Sequence, residues 1–489
     1  MRITLGRPPR HRQPAGRPRR GRTAALLVAA QAAATLPVLA APAPVSAAPA
    51  VHGPWQKVDG KPAATKAGRK AAVKAKRLTA YKLDRGSMKG LLDKAPAEKR
   101  VAVARVAKQV VSLPAPDGTF QRFELVDSPV MEAGLAAKHP EITTYVGKGL
   151  DDPTATIRAD LTPLGFHASV RSAEGNWYID PYYQRDQSLY ASYFARDLKH
   201  PEGEFVERED VTQEAHALAG EIAEAEVPAG PLVKLRTYRV ALVTDPSYPT
   251  YFGAENVTAA KVTLMNRVTQ IYEDETAIRL VLINDTDKTN LNTPALATEP
   301  NGPCGAAACF TPAQLTSCGG GTLSRNRIVL GQLVGASNYD VGHVGLGVNG
   351  GGVASLGVIG GNGKAQGCTG LPTPVGDFYA VDYVSHEMGH QFAGNHTFNG
   401  TQYNCSGGNR SAANSYEPGS GSSIMAYAGI CQQDNLQPHS DPYWSHRSYT
   451  EITNYVTSNR PAINEVQNVS LYGFDADGDS FTVRYAGAD

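Results

Sequence analysis

The sequence predicts an α/β (α+β) fold for residues 231–460, and two observations lead to this prediction. Apolar residues recur with the period of a strand, then of a helix, then of a strand again, a succession that favours a sheet covered by helices. A later helix carries closely spaced histidines. The expected elements are strands at 235–244, 277–283 and 327–334 and helices at 257–275, from about 378, and at 449–456.

The composition supports folded domains and argues against a nucleic-acid partner. The 489 residues are 42% apolar, which is enough to form the cores of two or three domains. The formal net charge is only +1, and the arginines that crowd the first 23 residues form a local block. A basic block confined to one terminus does not make a nucleic-acid binder.

The start of the chain is typical of a secretory signal peptide. An alanine- and leucine-rich stretch, 24–40, follows the arginines, and the small residues 45–47 come next. The stretch is shorter than the roughly 20 apolar residues that a membrane-spanning helix needs, and Pro37 interrupts it. We therefore expect residues 1–47 to be a signal peptide, the protein to be secreted, and no later segment to span a membrane.

The cysteines agree with secretion. They are even in number and all lie in one segment, which indicates three disulfides. The alternative, a thiolate metal site, lacks the paired C-x-x-C spacing that such sites usually show. The sequence leaves the connectivity open, since six cysteines allow about 15 pairings. The disulfide candidates are Cys304, Cys309, Cys318, Cys368, Cys405 and Cys431.

The chain before residue 231 divides by composition. Residues 48 to about 100 are rich in Lys, Ala and Arg, which indicates a lead-in with little structure except one short helix at 87–94. Short alternating runs between 120 and 183 predict a small strand-rich domain. An acidic stretch at about 197–230 is expected to be a helical or flexible linker.

The last residues, 461–489, contain strand-like runs around an aspartate-rich turn, and we expect them to begin a β-sandwich. Asp475, Asp477 and Asp479 could bind Ca²⁺ through carboxylate oxygens, although the loop is incomplete as an EF-hand. The same residues also make a good polar turn. Both interpretations stay open.

The strongest chemical signal is His386-Glu387-x-x-His390. On a helix, His386 and His390 lie one turn apart, so both imidazoles project from one face and can bind a single Zn²⁺ ion. Glu387 lies beside them, where its carboxylate can accept a proton from a zinc-activated water. The pattern therefore predicts a hydrolase.

A third ligand and a downstream methionine strengthen this prediction. His396 supplies another nitrogen once the chain turns, and we expect Gly394 to give the backbone its freedom there. Met425 follows in a Gly/Ser-rich loop. An alternative is a different class of zinc peptidase, in which the third ligand is a glutamate, and Glu417 is the obvious candidate for that ligand. It lies in a loop rather than on the helix that this class uses, so His396 is the better candidate.

His386, Glu387, His390, Gly394 and His396, together with the downstream Met425, resemble the metzincin clan, in which three histidines bind zinc above a methionine turn. Within that clan, the sequences around 339–344, 390–392 and 395–400 are similar to bacterial reprolysin-like (adamalysin-like) metallopeptidases.

The resemblance implies a metzincin-like catalytic domain at 231–460 with a mixed sheet and an active-site helix, a propeptide at 48–230 and one catalytic Zn²⁺. The expected function is a secreted zinc endopeptidase that acts on proteins or peptides and is made as a zymogen. Because no cysteine precedes Cys304, the propeptide cannot block zinc with a thiolate. The alternative is a catalytically inactive adhesin or binding module on the same fold.

Some positions need a separate interpretation. The family has glycine where this chain has Ala393, so we expect the turn to pivot one residue later, at Gly394. Tyr427 resembles a tyrosine that approaches zinc in related families and is a tentative oxyanion stabiliser; packing in the loop is the alternative. His343 is expected to be structural, on the strand that edges the cleft. His439 and His446 are expected at the surface or in packing.

Overall fold

A computed structural model describes residues 51–98, 107–199 and 235–458 of the chain. We call residues 51–98 and 107–199 the N-terminal region and residues 235–458 the central region. The predicted signal peptide, most of the acidic linker and the aspartate-rich tail lie outside the described residues, so the predictions for them stay predictions. Within the described ranges, no helix has the length and apolar character to span a membrane.

The N-terminal region is built on an antiparallel sheet of ten strands. Their order across the sheet is β1-β2-β5-β12-β11-β10-β9-β8-β7-β6, and β3 and β4 form a separate hairpin. The strands are β1 Val51–His52, β2 Trp55–Val58, β3 Thr65–Lys66, β4 Arg69–Lys70, β5 Thr79–Leu83, β6 Gln109–Pro114, β7 Phe120–Asp127, β8 Thr143–Gly149, β9 Thr156–Thr162, β10 Gly165–Arg171, β11 Trp177–Tyr183 and β12 Asp186–Phe194.

The strand-rich domain is therefore present, but the prediction of a lead-in with little structure was wrong. Strands β1, β2 and β5 belong to the sheet because β5 pairs with β12, more than a hundred residues further along the chain. Trp55 lies fully buried, with edge-on ring contacts to Tyr81, Phe166 and Tyr190. Such long-range burial leaves little trace in local composition, which is what the prediction used.

Two short helices accompany this sheet. Helix α1, Arg85–Leu92, begins at the N-cap Asp84, whose carboxylate accepts a hydrogen bond from the Ser87 amide. It lies two residues from the predicted start at 87. Helix α2, Ala133–Lys138, lies between β7 and β8, and its Leu135 amide donates to the side chain of Asn284 in the central region.

The central region contains a mixed sheet of five strands in the order β14-β13-β15-β17-β16. The first four run parallel, and β16 pairs antiparallel to β17 at the edge. The strands are β13 Arg236–Thr244, β14 Ile278–Leu282, β15 Val341–Leu346, β16 Gly351–Ala354 and β17 Gly367–Gly370. The mixed α/β fold is confirmed, and the strands predicted at 235–244 and 277–283 are present.

Helices cover both faces of this sheet. The helices are α3 Ser247–Phe252, α4 Val257–Thr276, α5 Pro294–Ala297, α6 Gly320–Leu333 and α9 His446–Ser458, together with α7 Gly376–Phe378 and α8 His386–Gln391, which are joined by a π-helical segment, Tyr379–Ser385. We call the continuous helical stretch 376–391 the active-site helix. Short 3-10 turns lie at Ala195–Asp197, Ala254–Asn256, Thr286–Thr289, Pro312–Leu315, Ala336–Asn338, Tyr403–Cys405, Gly407–Asn409 and Gln432–Asp434.

The strand predicted at 327–334 is instead the end of helix α6. The apolar run Ile328-Val329-Leu330 suggested a strand, but Ile328 points outward while Val329 and Leu330 are buried. The other buried side chains continue at helical spacing. They are Thr322, Leu323, Asn326 and Leu333.

Two hydrophobic cores lie on opposite faces of the mixed sheet. One contains α4, the active-site helix and α9; the other contains α6 and the cysteine-rich loops. All six cysteines form disulfides, so three bonds are confirmed. The pairs that the sequence left open are Cys304–Cys309, Cys318–Cys368 and Cys405–Cys431.

Candidate metal centre

The active-site helix brings two histidines together, and the chain that follows adds a third. His386 and His390 lie one turn apart on α8, and His396 returns to them after the helix has ended. Their Nε2 atoms are close: 3.2 Å separates His386 from His396 and 3.0 Å separates His390 from His396. Each side chain offers one ligand atom, and all three atoms lie within 4.8 Å of one another.

Backbone carbonyl groups fix the orientation of all three rings. The Nδ1 atom of His386 lies 2.6 Å from the carbonyl oxygen of Ile424, that of His390 lies 2.7 Å from Gly394, and that of His396 lies 2.6 Å from Asn409. A carbonyl can only accept, so each Nδ1 carries the proton and each Nε2 presents its lone pair. Histidine ligands of metals typically donate their second nitrogen in this way.

This donor set fits zinc. Zinc–nitrogen bonds of about 2.0–2.1 Å in tetrahedral geometry place neighbouring ligand atoms about 3.3 Å apart. The two observed Nε2 separations are within a few tenths of an ångström of that value. Three neutral imidazoles also leave one tetrahedral position open, as catalytic zinc sites require.

The turn between His390 and His396 differs from the prediction. The left-handed residue is Ala393, with φ of +73°, and not Gly394. The Ala393 amide donates to the His390 carbonyl, and the Gly394 amide donates to the Gly389 carbonyl. These two bonds form a Schellman motif with alanine at the position where glycine is usual.

Gly394 has a different role, which is to allow a close approach. A Cβ atom there would lie 3.1 Å from the Gly389 carbonyl oxygen and 3.4 Å from Cγ of Met425. The glycine therefore lets the chain pass close to the end of the helix, and the alanine before it adopts the strained conformation. Met425 is fully buried beneath the helix, as expected for the floor of the site.

Glu417 is not a member of the histidine cluster, so the alternative with a glutamate as third ligand is not supported. Its carboxylate accepts hydrogen bonds from the amides of Ser422 and Ser423, from Ser423 Oγ at 2.6 Å and from the Thr397 hydroxyl. Thr397 is next to His396, and Ser423 lies two residues before Met425. Glu417 therefore connects the third histidine with the methionine loop.

Tyr427 lies against the histidines. Its ring centroid is 4.7 Å from that of His396 and 5.7 Å from that of His386, and the ring stacks on Phe398. Glu387, next to His386, is fully buried. Tyr427 therefore packs against two of the three histidines, and Glu387 is buried next to His386 in the chain.

His343 is buried, as expected of a structural residue, but its strand is not at the edge of the sheet. It lies on β15, the middle strand, and the edge strand is β16. Because Gln391 Nε2 donates to the Gly342 carbonyl, its Oε1 accepts from His343 Nδ1 at 3.1 Å. His343 Nε2 then accepts from the Thr369 hydroxyl. Burial lowers the pKa of His343 to about 4, so it is a neutral structural residue.

His439 is also buried, whereas His446 is exposed at the start of α9. His439 Nε2 lies 3.0 Å from the carbonyl oxygen of Ala195 in the N-terminal region. Burial would lower its pKa, but the carboxylates of Asp382 and Asp377 raise it above the ordinary value. Burial also raises the pKa of Asp382 to about 7.

Asp382 was not singled out from the sequence, although it contributes to the wall of the site. Its Oδ1 accepts from the Ser440 amide at 2.7 Å, which ties the active-site helix to the chain beyond the methionine loop. A pocket of about 10 Å³, enough for about one water molecule, lies between these segments. Its lining residues include His386, Asp382, Tyr427 and Phe378.

Phe378 also lines a cavity of about 560 Å³ between the N-terminal and central regions. No pattern in the sequence could have located it, because its walls come from distant segments. The carbonyl groups of Ile424, Gly394 and Asn409 escaped prediction for another reason: every residue has a carbonyl group.

The fold and the histidine cluster define a metallopeptidase-type domain. Residues 254–445 match the sequence profile of the metallo-peptidase family M12B, reprolysin-like. This part of the chain is a reprolysin-like metallopeptidase domain of family M12B, as the resemblance of its motifs predicted. Members of this family depend on zinc and hydrolyse peptide bonds.

Other comparisons add little. No curated protein matches the chain significantly. A crystal structure of metalloproteinase-II from Bacteroides fragilis is similar over 76% of this chain and 95% of that chain, with 12% identity and a TM-score of 0.37. At that TM-score the likeness carries no structural argument.

Proposed function

We propose that the protein is a zinc-dependent endopeptidase that hydrolyses proteins or peptides. The observation that carries the proposal is the cluster of three Nε2 lone pairs, each oriented by a carbonyl group at the opposite ring nitrogen. A bound zinc ion would supply the Lewis acidity that acidifies a water molecule and polarises a peptide carbonyl. The other contributions come from the side chains around it.

Glu387 is the proposed general base. It follows His386 directly on the helix, which holds its carboxylate beside the ligands rather than among them. A carboxylate at this position accepts the proton of the attacking water and can deliver it to the departing amine. Its burial excludes competing water and strengthens these interactions.

Tyr427 is a proposed stabiliser of the oxyanion, supported by its position against His396. Replacement by phenylalanine separates this role from packing, because the ring contact with Phe398 is kept. If the hydroxyl acts in the transition state, Tyr427→Phe lowers kcat by roughly 10²-fold with little change in KM. An unchanged kcat would leave Tyr427 a packing residue.

We further propose that the protein is secreted as a zymogen and is then activated by proteolytic cleavage. Residues 1–47 would direct secretion, and a cut within the acidic stretch, about 197–230, would end the zymogen state. Mass spectrometry of culture supernatant tests this proposal. A fully active enzyme whose chain begins near residue 50 would contradict it.

The central experiment compares the wild type with Glu387→Gln and with a control variant, Glu299→Gln. Glu299 is exposed and lies far from Glu387 in the sequence. We expect zinc to be retained in all three and casein hydrolysis to fall by several orders of magnitude only in Glu387→Gln. Equal hydrolysis by all three would refute the base. Zinc binding without hydrolysis in the activated wild type would favour the inactive binding module.

A further inference from the structure

The N-terminal region continues the sheet of the central region. Strand β14 is an edge strand, and residues 130–132 run parallel beside it. The Leu282 amide donates to the Val130 carbonyl at 2.9 Å, and the Glu132 amide donates to the Leu282 carbonyl at 2.8 Å. Removing the N-terminal region would therefore uncover the edge of a parallel sheet, which proteins normally keep covered.

The two regions also share a hydrophobic core. Val130, Met131, Leu135 and Ile142 are buried in the same cluster as the apolar residues of α4, β14 and the active-site helix. Helix α2 approaches the central region closely as well, because its Leu135 amide donates to the Asn284 side chain. Apolar burial of this kind is little affected by salt.

A network of alternating charges crosses the interface, in which Arg158 is buried and the other three side chains are partly buried. Arg158 on β9, only 2% exposed, donates to Glu273 on α4 at 2.6 Å. Arg279 on β14 donates to Glu273 within the central region. It also donates to Glu98 of the N-terminal region, with distances of 2.8 and 2.9 Å to the two carboxylate oxygens. Burial alone would raise the pKa of Glu273, but the two guanidinium groups hold it below its usual value.

Each charge in this network depends on partners from the other region. Separating the regions would take Glu98 away from Arg279 and Arg158 away from Glu273. Removing one partner of a buried ion pair leaves the other charge uncompensated. The free-energy cost is therefore far larger than the stability that an exposed ion pair contributes. Buried Arg267 on α4 contacts Asp180 in the same way, and Tyr193 donates to that carboxylate at 2.5 Å.

From these contacts we infer that the N-terminal region is not released when the chain is cut. Residues 51–199 remain bound to the central region as a non-covalent subunit, held by the β14 edge, the shared core and the Arg158–Glu273–Arg279–Glu98 network. The inference rests on the proposed function only for the existence of a cut within the acidic stretch, after residue 199.

The test uses the full chain with the recognition sequence of a site-specific protease inserted between residues 214 and 221. After complete cleavage, native mass spectrometry and size-exclusion chromatography at about 1 μM should show both fragments in one complex. The complex should persist in about 1 M salt, since buried pairs and apolar contacts are little screened. Separate elution of the fragments in either buffer would overturn the inference.

Matched variants test the charge network. Arg158→Met keeps the length of the side chain but leaves Glu273 with one partner, and we expect the dissociation constant of the cut complex to rise at least 100-fold. Arg122→Met removes an exposed pair with Asp151 inside the N-terminal region and should change nothing. Equal dissociation constants for the two variants would refute the role of the network. None of these readouts depends on catalysis, so an inactive enzyme would not affect the result.

Discussion

A Cβ atom on Gly389 would lie 2.4 Å from Sδ of Met425, closer than any real contact of this kind. The same atom would meet the Trp444 ring at 3.1 Å. The methionine loop is therefore pressed directly against the helix between the two histidines. The carbonyl group of Ile424, which orients His386, belongs to this loop.

We predict that Gly389→Ala weakens both folding and zinc binding. The added methyl group must displace Met425, and overpacking of this kind costs about 1–3 kcal/mol. Thermal denaturation and the zinc content of the purified protein measure the two effects. Gly331→Ala on α6 is the control, since a Cβ there meets nothing within 4 Å and alanine should stabilise the helix slightly. Equal melting temperatures for the two variants would contradict the prediction.

Ala393→Gly should stabilise the protein. Ala393 has φ of +73°, where an L-residue with a side chain is strained by roughly 1–2 kcal/mol and glycine is not. Part of this gain is lost because glycine gains entropy in the unfolded chain and because the buried methyl group of Ala393 is removed, so we expect a gain of less than about 1 kcal/mol in the free energy of unfolding. Urea denaturation measures it. Ala137→Gly, at an exposed position in α2, should instead destabilise; the same sign for both variants would argue against strain at Ala393.

Sequence reasoning located the metal centre because the signal is local. The spacing of His386, Glu387 and His390 on one helix, and the short return to His396, depend on backbone geometry that few residues determine. The same holds for the strands at 236–244 and 278–282, whose apolar pattern is regular.

What failed depended on distant contacts or on backbone detail. The turn pivots at Ala393, and Gly394 instead passes close to the Gly389 carbonyl oxygen, which a Cβ atom would meet at 3.1 Å; the spacing of the motif reveals neither detail. Strands β1, β2 and β5 are held by β12 and by the buried Trp55, not by their own composition. The prediction of a strand at 327–334 rested on the continuous apolar run Ile328-Val329-Leu330. The helical spacing of the buried residues becomes visible only over the whole of α6.

Glu417→Gln should lower zinc affinity without abolishing it. The amide group of glutamine would face at least one donor among Ser422, Ser423 and Thr397, so a charge-assisted bond worth roughly 1.5–3 kcal/mol is lost. Residues that orient ligands typically change metal affinity about 10- to 100-fold. Competition with a chromogenic chelator measures this change, with the exposed Glu299→Gln as control. Complete loss of zinc would instead make Glu417 a ligand.

His343 should make the protein sensitive to acid. Its pKa is about 4 in the folded protein, below the ordinary value of 6.5, because burial disfavours the charged ring. The unfolded chain therefore takes up the proton first as the pH falls. The stability that the neutral ring contributes is fully present above pH 6.5 and is lost progressively as the pH falls towards 4, by about 3 kcal/mol in total.

Urea denaturation between pH 7.5 and 4 tests this prediction on the wild type and on His343→Gln, whose neutral amide can still hydrogen-bond in the same cavity. Any other group that titrates in this range contributes equally to both proteins. The wild type should therefore lose more stability than the variant, and the difference should grow below pH 6.5. Parallel curves for the two proteins would show that His343 does not titrate differently in the folded and unfolded chain.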